Sequence, residues 1–504
     1  MQEVFYNDTP FRNEIGKPLK AEAFAGQFGT VTLALLPRRD LGKVRVTAGD
    51  LVGASGTIPS TAIEIGYVSY RISRVTMEGS VYTIAPRLIM PSNSVEMPKD
   101  IARRFWLTIR TPTNLQPGEY HGTVTVTPER GDVAFVPVAF TVHKGVLDPV
   151  DMPVGPFGYS IDTPWYDDDP PARSFNNEMA LKSLKKLREY GFTTFSGIPF
   201  VSYRGFEHGH PVLDFTVADP AMKQARELGF TAVVAYGSGL TGLNSYYQDT
   251  DAMKSAGFTD YSAFIKAIYS AVQQHARDQD WLPTYWNLGD EPIGDDLLRS
   301  VQNAAAYKRA FPVGPPFFTA ASSFTGTDQT DQHFLLSKEL SVTNWNAHDE
   351  DSVNLLLKAG GNWAFYNRGD RWTFGEYLYK AAKQFGMKFR LSWHWNVAAG
   401  DPYYALDCRE DDYAWSAGTP LGQLVPSVEF ERIHMGLDDY RSLLTLGRLA
   451  RQNSANPAAK SANALIARRL STFKLGQRDH DAVFPIDDWE KFPSEVANAI
   501  DALR

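Results

Sequence analysis

Hydrophobic and polar residues alternate in short runs through the first 148 residues of the chain. The runs are separated by turn residues such as Gln116-Pro117-Gly118-Glu119, and a period of two with regular breaks is typical of strands in a β-sandwich. The clearest runs cover residues 31–35, 43–46, 105–109, 122–126 and 136–142. The proline-containing stretch 148–153 predicts a linker, so we expect a β-sandwich domain over residues 1–148.

Strand-like and helix-like segments alternate from about residue 155 onwards. Glycines such as Gly191 and Gly386 close helix-like segments, as helix C-caps do. The strand-like segments cover residues 157–160, 193–197, 232–236, 284–288, 317–320, 341–345, 363–366 and 388–393. Eight such strands over about 240 residues predict a (β/α)8 TIM barrel, which we assign to residues 149–425. Residues 202–215 are predicted to form an inserted hairpin.

A long helix is predicted from about Val428. Its apolar residues recur at spacings of three and four and therefore share one face: Phe430, Ile433, Leu437, Tyr440 and Leu444. A further helix is predicted near residues 458–473. We therefore expect residues 426–504 to be a C-terminal helical extension packed on the barrel, and the whole chain to be a multidomain β and α/β protein.

Composition and charge limit the classes of molecule that the protein is expected to bind. The 504 residues carry a net charge of −8 without a basic run, which argues against nucleic acid and anionic membrane surfaces. Cys408 is the single cysteine, so no internal disulfide can form. No apolar run approaches the about 20 residues of a membrane helix. Met1-Gln2-Glu3 opens no signal peptide, so we expect a cytoplasmic protein, or an extracellular or periplasmic one if a leader has been removed.

The tetrapeptide Gly289-Asp290-Glu291-Pro292 carries the main chemical signal. It follows the predicted fourth barrel strand, on the face where barrel active sites form. A structural role is the alternative, because Asp is a favoured helix N-cap and Glu-Pro suits a first helical turn. For both carboxylates to face a substrate, the chain must leave strand geometry at or before Asp290, and Gly289 permits such a turn.

Adjacent carboxylates suggest a particular glycosidase mechanism. Most retaining enzymes place the acid and the nucleophile on opposite sides of the scissile bond. Two carboxylates on adjacent residues are poorly placed for this arrangement. They suit a substrate whose own 2-acetamido oxygen attacks the anomeric carbon. Glu291 would then protonate the leaving oxygen, and Asp290 would orient the acetamido N–H and stabilise the oxazolinium. Two close carboxylates also raise one another's pKa, which helps to keep the acid protonated.

Polar and aromatic residues at other strand ends could form a sugar pocket. Aromatic residues make up 13% of the chain, which fits either a large core or exposed platforms for sugar rings. Taken singly, each strand-end residue suits packing or a turn as well as binding. The candidate substrate-binding residues are Tyr159, Tyr236, Asn287, Trp345, Tyr366, Asn367, Trp393, Trp395 and Asn396.

Motifs for cofactors and metals are missing from the sequence. There is no nucleotide-binding glycine motif, zinc protease motif or Gly-x-Ser-x-Gly elbow. His348-Asp349-Glu350-Asp351 looks like a metal cluster, but acidic residues in a first helical turn explain it better. We expect neither a cofactor nor a metal, and the sequence leaves the oligomeric state open.

Three stretches together resemble the glycoside hydrolase family 123 group and its barrel domain, known as domain of unknown function 4091. They are residues 105–126, Gly289-Asp290-Glu291-Pro292 and residues 426–441. The resemblance implies a β-sandwich followed by a TIM barrel, and a retaining exo-β-N-acetylgalactosaminidase that uses substrate assistance. It assigns Asp290 as the stabiliser and Glu291 as the acid. It also implies a tyrosine and a tryptophan in the sugar subsite, for which Tyr366, Trp393 and Trp395 are candidates.

Two alternatives stay open at this point. The protein could hydrolyse a glycoside that has no acetamido group, with a distant carboxylate as nucleophile or base; Glu376, Asp401 and Glu410 are the candidates. It could also bind glycans without turnover, because the aromatic content suits a binding protein equally well. N-acetylgalactosamine is the sugar we expect.

Overall fold

The computed structural model describes residues 4–12, 14–74, 81–157, 170–197, 201–235, 240–393, 395, 415–419, 421–477 and 486–504, with the backbone alone at 73–74, 170–177 and 486–490.

Two mainly antiparallel sheets form the N-terminal part. Their strands are β1 (Leu19–Phe24), β2 (Phe28–Leu35), β3 (Lys43–Ala48), β4 (Leu51–Gly53), β5 (Gly56–Ile58), β6 (Ile63–Arg74), β7 (Tyr82–Met90), β8 (Ser94–Glu96), β9 (Arg103–Arg110), β10 (Gly118–Pro128) and β11 (Ala134–His143).

The two N-terminal sheets share one hydrophobic core. One sheet has the order β1-β11-β10-β3-β8, with β4 and β5 attached to β10, and the other has the order β2-β9-β6-β7. Alternate residues of both sheets point into the core, such as Val44 and Phe140 from the first and Leu107 from the second. All five runs predicted from the alternating pattern lie within strands.

A parallel sheet follows. The remaining strands are β12 (Val154–Phe157), β13 (Val201–Glu207), β14 (His210–Asp214), β15 (Val233–Ala235), β16 (Leu240–Thr241), β17 (Thr284–Asn287), β18 (Phe317–Ser322), β19 (Val342–Trp345), β20 (Trp363–Phe365), β21 (Arg390–Trp393), β22 (Ser416–Gly418) and β23 (Leu424–Pro426). Seven of them form one curled parallel sheet in the order β12-β21-β20-β19-β18-β17-β15. The predicted hairpin at 202–215 is confirmed as β13 and β14.

Residues 193–197 connect the two edges of this parallel sheet. The backbone N–H of Ser196 donates to Pro156 in β12 over 3.1 Å, and that of Gly197 donates to Val234 in β15 over 2.9 Å. The segment was predicted as the second strand of the alternating pattern. With it, the parallel strands form a closed ring, which we call the ring.

Helices cover the outside of the ring and form the C-terminal part. They are α1 (Pro170–Glu189), α2 (Ala218–Glu227), α3 (Thr250–Ser255), α4 (Tyr261–Asp278), α5 (Gly294–Ala310), α6 (Gln332–Glu339), α7 (Glu350–Lys358), α8 (Arg371–Phe374), α9 (Glu376–Phe385), α10 (Val428–Gln452), α11 (Pro457–Leu470) and α12 (Ile486–Leu503). Within the residues that the structure describes, none of these helices is long and apolar enough to cross a membrane.

The C-terminal helices bind the ring and the N-terminal sheets together. Tyr440 of α10 donates a hydrogen bond to Asp151 over 2.6 Å. His143 at the end of β11 lies between Glu22, at 3.3 Å, and Asp501 of α12, at 2.8 Å. Although burial opposes the charged form, the two carboxylates raise the pKa of His143 to about 9. These ion pairs hold the N-terminal sheets against the helical part.

Candidate active site

The strand that carries the carboxylate pair stays hydrogen-bonded beyond Asn287. The N–H of Leu288 donates to Thr319 over 2.7 Å, and the N–H of Glu291 donates to Ala321 over 3.1 Å. In between, Gly289 accepts from the N–H of Ala321 over 3.0 Å. The pair therefore lies at the C-terminal end of an extended strand, as the sequence predicted.

The chain turns at Glu291 itself. Its φ is +46°, a left-handed conformation that residues with a Cβ rarely adopt. Gly289 does not have a positive φ and remains paired with the neighbouring strand. The sequence predicts that the chain leaves strand geometry at or before Asp290, and the regular strand β17 ends at Asn287. A strained non-glycine residue at a strand end is a common feature of functional sites.

Helix capping does not explain the two acidic residues. Helix α5 begins at Gly294, and its N-cap is Ile293, which makes no side-chain cap. The acidic residues of its first turn are Asp295 and Asp296. Asp290 and Glu291 thus lie before the helix, and neither of them caps it.

Asp290 is the more buried member of the pair. Its Oδ1 atom is buried and has no hydrogen-bond partner in the described part of the chain. Burial, and next the negative charge of Glu291, raise the pKa of Asp290 to about 6. A buried carboxylate oxygen without a donor is costly to the free protein, and it is well suited to accept an N–H from a ligand.

The Glu291 side chain is exposed, and one of its carboxylate oxygens accepts a hydrogen bond. Its Oε1 atom accepts a hydrogen bond from Nδ2 of Asn346 over 2.5 Å. Asn346 directly follows β19, and its backbone N–H donates to Ser322 over 2.7 Å. The two carboxylates therefore differ in environment. Asp290 has one buried oxygen without a donor, whereas Glu291 is exposed and one of its oxygens accepts from an amide.

Buried polar side chains lie on β17, β18 and β19, the strands of the ring nearest the pair. Thr319 and Asn344 are 0% and 1% exposed, and their Oγ1 and Oδ1 atoms have no partner among the described residues. Asn287, a predicted binding residue, is 2% exposed in the adjacent strand. Native proteins rarely leave such groups unpaired, so a polar ligand or water is expected to meet them. Asn344 was not among the candidates, although its position two residues before Asn346 places both on one face.

Trp345 lies on the other face of the same strand. Its ring is fully buried, and its Nε1 donates to Oγ of Ser337 in α6 over 2.9 Å. It packs beside Phe324 at a centroid distance of 5.9 Å. The structure therefore places Trp345 in the layer between strand and helix, and its predicted contact with a sugar has no support, because neighbouring strand residues point to opposite sides.

Three other candidates come together at the ends of β20 and β21. The ring of Tyr366 meets Phe157 edge-on at 4.9 Å, and Trp393 lies 6.3 Å from the same ring. Oδ1 of Asn367 accepts a hydrogen bond from the backbone N–H of Trp393 over 3.3 Å. Asn367 has a left-handed φ of +66°. These residues form an aromatic and amide cluster on the inner side of the ring.

The remaining predicted binding residues do not join this cluster in the described structure. Trp395 is 6% exposed and packs edge-on against Phe430 of α10 at 5.0 Å. Tyr159, Tyr236 and Asn396 lie outside the described residues.

Arg390 is a buried residue that sequence reasoning missed. Its guanidinium stacks on Phe365 at 4.0 Å and on Phe374 at 4.5 Å, and it donates to the backbone carbonyl of Arg368. Burial lowers the pKa of Arg390 to about 9. Because Asn367 and Arg368 both have left-handed backbones, this buried cation stabilises the turn that presents Asn367.

A groove of about 430 Å³ lies in the loop that follows β16, lined by residues 242–244 and 247–251. The loop is fixed to α5, because Nδ2 of Asn303 donates to Ser245 over 2.7 Å. A Cβ atom built on Gly289 would lie 3.7 Å from the Tyr246 ring. This polar loop is therefore a direct neighbour of the carboxylate turn.

Other carboxylates considered from the sequence have different roles. Glu376 is 1% exposed and forms a bidentate pair with Arg469 of α11 at 2.6 and 3.0 Å. It faces the helical layer, so the structure contradicts its use as a nucleophile or base. Asp401 and Glu410 lie outside the described residues.

The acidic run at 348–351 begins a helix. Asp349 caps α7 in a capping box with Ser352, which confirms the structural interpretation. His348 is buried, and its Nε2 lies 2.7 Å from the Tyr377 hydroxyl. Within the described residues, no group of three or more His, Cys, Asp or Glu side chains could hold a metal ion.

Comparison with known proteins finds a family model that matches the N-terminal residues and a solved structure with a similar fold. Residues 7–128 match the model of the glycoside hydrolase 123 N-terminal domain. The resemblance to family 123 is confirmed. A family 123 glycoside hydrolase from Clostridium perfringens, studied for glycolipid glycan hydrolysis, has a similar fold: the TM-score is 0.69 at 14% identity, over 96% of this chain and 92% of that one. No curated protein sequence matches the chain.

Matches to other glycosidase structures are much weaker. A Bacteroides cellulosilyticus family 2 member aligns at 10% identity over 79% of this chain and 48% of its own, with a TM-score of 0.27. A Bacteroides ovatus family 5 xyloglucanase aligns at 10% identity over 83% and 98%, also with a TM-score of 0.27. Similarity at this level carries no functional argument.

Proposed function

We propose that this protein is a glycoside hydrolase, and that it acts as a retaining exo-β-N-acetylgalactosaminidase through assistance by the substrate's 2-acetamido group. The observation that carries the proposal is the pair Asp290 and Glu291 on one turn at a strand end, in two different environments. We interpret the ring as a (β/α)8 barrel over residues 149–425, the N-terminal sheets as a β-sandwich over 1–148, and residues 426–504 as the helical extension.

Glu291 is the general acid in this mechanism. Its exposed carboxyl group protonates the glycosidic oxygen while the acetamido oxygen attacks the anomeric carbon, and the bond to the leaving group breaks with its electron pair on that oxygen. In the second step the Glu291 carboxylate takes a proton from water, which opens the oxazolinium with the original anomeric configuration restored.

Asp290 stabilises the intermediate. Its unpartnered Oδ1 accepts the acetamido N–H in this mechanism, and its negative charge offsets the positive charge that develops on the oxazolinium. With a pKa of about 6, Asp290 is mostly ionised at neutral pH, as this role requires. The sequence predicts that close carboxylates raise one another's pKa, and the charge of Glu291 does add to the effect of burial in raising the pKa of Asp290.

The sugar-binding residues are a proposal of the same kind. Trp393 is partly exposed and offers aromatic surface, and Tyr366, which is 4% exposed, packs with it against Phe157. Asn287 and Asn367 offer amide groups to sugar hydroxyls. Asn344 and Thr319 add buried polar atoms that need a partner. N-acetylgalactosamine is the proposed sugar because the resemblance to family 123 implies it.

Aryl β-glycosides of N-acetylgalactosamine and N-acetylglucosamine test this function. We expect release of the aryl group from the former, and near-complete loss of turnover in Glu291→Gln with a phenyl-type leaving group. A thiazoline mimic of the oxazolinium should inhibit. Wild-type turnover by Glu291→Gln, or no inhibition at millimolar thiazoline, would contradict the proposal.

The non-acetamido alternative depends on a distant carboxylate. Because Glu376 is committed to Arg469, this alternative now rests on Asp401 and Glu410. Activity on a glycoside without an acetamido group, lost in Asp401→Asn or Glu410→Gln, would favour it. Glycan binding without any product across a panel of glycosides would favour a binding protein.

A further inference from the structure

Asn346 contacts the proposed acid from a rigid position. Its backbone N–H is bonded to Ser322, and the next residue, Ala347, donates to Oγ of Ser323 over 3.2 Å. The residue before it, Trp345, is fixed in the outer packing layer. The Asn346 amide therefore projects from a backbone that is held on both sides, and it reaches Oε1 of Glu291 at 2.5 Å.

Glu291 needs such a contact. Its side chain is exposed, and an unrestrained glutamate samples many rotamers, so little of it would point at a substrate at any moment. Its left-handed backbone is itself a strained conformation that the surroundings must maintain. One amide donor on Oε1 fixes the carboxyl plane and leaves Oε2 to carry the proton.

We propose that Asn346 is a positioning residue, which holds Glu291 so that Oε2 presents its proton to the glycosidic oxygen. This inference rests on the proposed acid role of Glu291. The proton moves from Oε2 to the leaving oxygen as the anomeric C–O bond breaks with its electron pair on that oxygen. The negative charge left on the carboxylate is stabilised by the Asn346 N–H on Oε1.

If Asn346 positions the acid, the effect of losing it should depend on the leaving group of the substrate, whereas a purely structural role predicts no such dependence. A leaving group that is stable as an anion, such as 2,4-dinitrophenolate, departs without protonation. A poor leaving group, such as methanol or a second sugar, must be protonated as it leaves. If Asn346 acts only through the acid, its loss must slow poor leaving groups far more than good ones.

The test compares Asn346→Ala with wild type on N-acetyl-β-galactosaminides whose leaving groups span dinitrophenol, 4-methylumbelliferone and methanol. We expect kcat/KM to fall by about tenfold to a hundredfold for the poorest leaving group, the size of one hydrogen bond to a charged group, and by less than about threefold for dinitrophenol. Asn346→Asp, which keeps the shape but replaces the donor with a second carboxylate beside Glu291, should slow the poor leaving groups at least as strongly. Asn354→Ala, on the exposed face of α7, is the matched control and should equal wild type.

The outcomes distinguish failure of the positioning role of Asn346 from failure of the proposed acid role of Glu291. Glu291→Gln should show the same dependence on the leaving group, only steeper; if it keeps wild-type activity throughout, the proposed function fails. If Glu291→Gln behaves as expected but Asn346→Ala slows all leaving groups equally, or none, the positioning role is wrong. Should Asn346→Ala not fold by circular dichroism, Asn346→Asp carries the same comparison.

Discussion

Asp290→Asn should abolish catalysis and yet stabilise the protein. The pKa of Asp290 is raised by burial to about 6 from an ordinary 3.8. Between about pH 4 and pH 6 the folded chain therefore holds a proton that the unfolded chain has released, so stability falls as the pH rises through this window and is constant above it. Asparagine resembles the neutral carboxyl group in shape, and because it does not ionise, it avoids the cost of a buried negative charge.

The size of the effect follows from the same pKa. Each pH unit corresponds to about 1.4 kcal/mol, so ionising Asp290 costs the folded state about 3 kcal/mol at neutral pH. We expect the difference in free energy of unfolding between Asp290→Asn and wild type to be near zero at pH 4 and about 3 kcal/mol at pH 7. For a protein of this size, that raises Tm by roughly 3 to 6 °C.

Differential scanning calorimetry from pH 4 to pH 8 measures this difference directly. Asp132→Asn is the matched control, because Asp132 lies exposed in the loop between β10 and β11, and its Tm should track wild type. The reasoning is refuted if Asp290→Asn is no more stable than wild type at pH 7, or if its advantage does not depend on pH.

Three further predictions concern the site and its surroundings. Because protonated Asp290 cannot stabilise the oxazolinium, kcat/KM should fall about tenfold per pH unit below about pH 6; a profile that is flat down to pH 4.5 would exclude the assignment. Glu376→Gln should lose about 3 to 5 kcal/mol of stability because it removes the negative charge that pairs with the buried Arg469 guanidinium, while kcat/KM of the folded enzyme stays within about twofold; a large loss of kcat at unchanged Tm would restore Glu376 as a catalytic candidate. Asn344→Leu should keep or raise Tm, since an unpaired buried polar atom is removed, and should lower kcat/KM about tenfold or more; unchanged kinetics would show that Oδ1 meets no substrate atom.

Local patterns predicted much of this architecture. Alternation of period two located the strands at 105–109 and 136–142, because one face of each N-terminal sheet is buried. The βα alternation located the strands of the ring to within a few residues. The carboxylate pair was found because it follows a strand, which the continued hydrogen bonding to β18 supports.

Features that depend on distant partners were missed. The sequence does not reveal which face of β19 points inward, so Trp345 was chosen for the sugar site and Asn344 was not; the contact with Ser337 decides this. Glu376 looked available because its partner Arg469 is far along the chain. The left-handed backbone of Glu291 was not predicted, because local preference favours glycine at a positive φ.

Progressive fluorination of the substrate's acetamido group tests the central claim most directly. Each fluorine makes the acetamido oxygen a weaker nucleophile without changing the leaving group. If the acetamido group attacks the anomeric carbon, as proposed for the pair Asp290 and Glu291, kcat/KM for 4-methylumbelliferyl β-glycosides should drop steeply and steadily from the acetyl to the trifluoroacetyl compound. Equal rates across the series would contradict substrate assistance and, with it, the role assigned to Asp290.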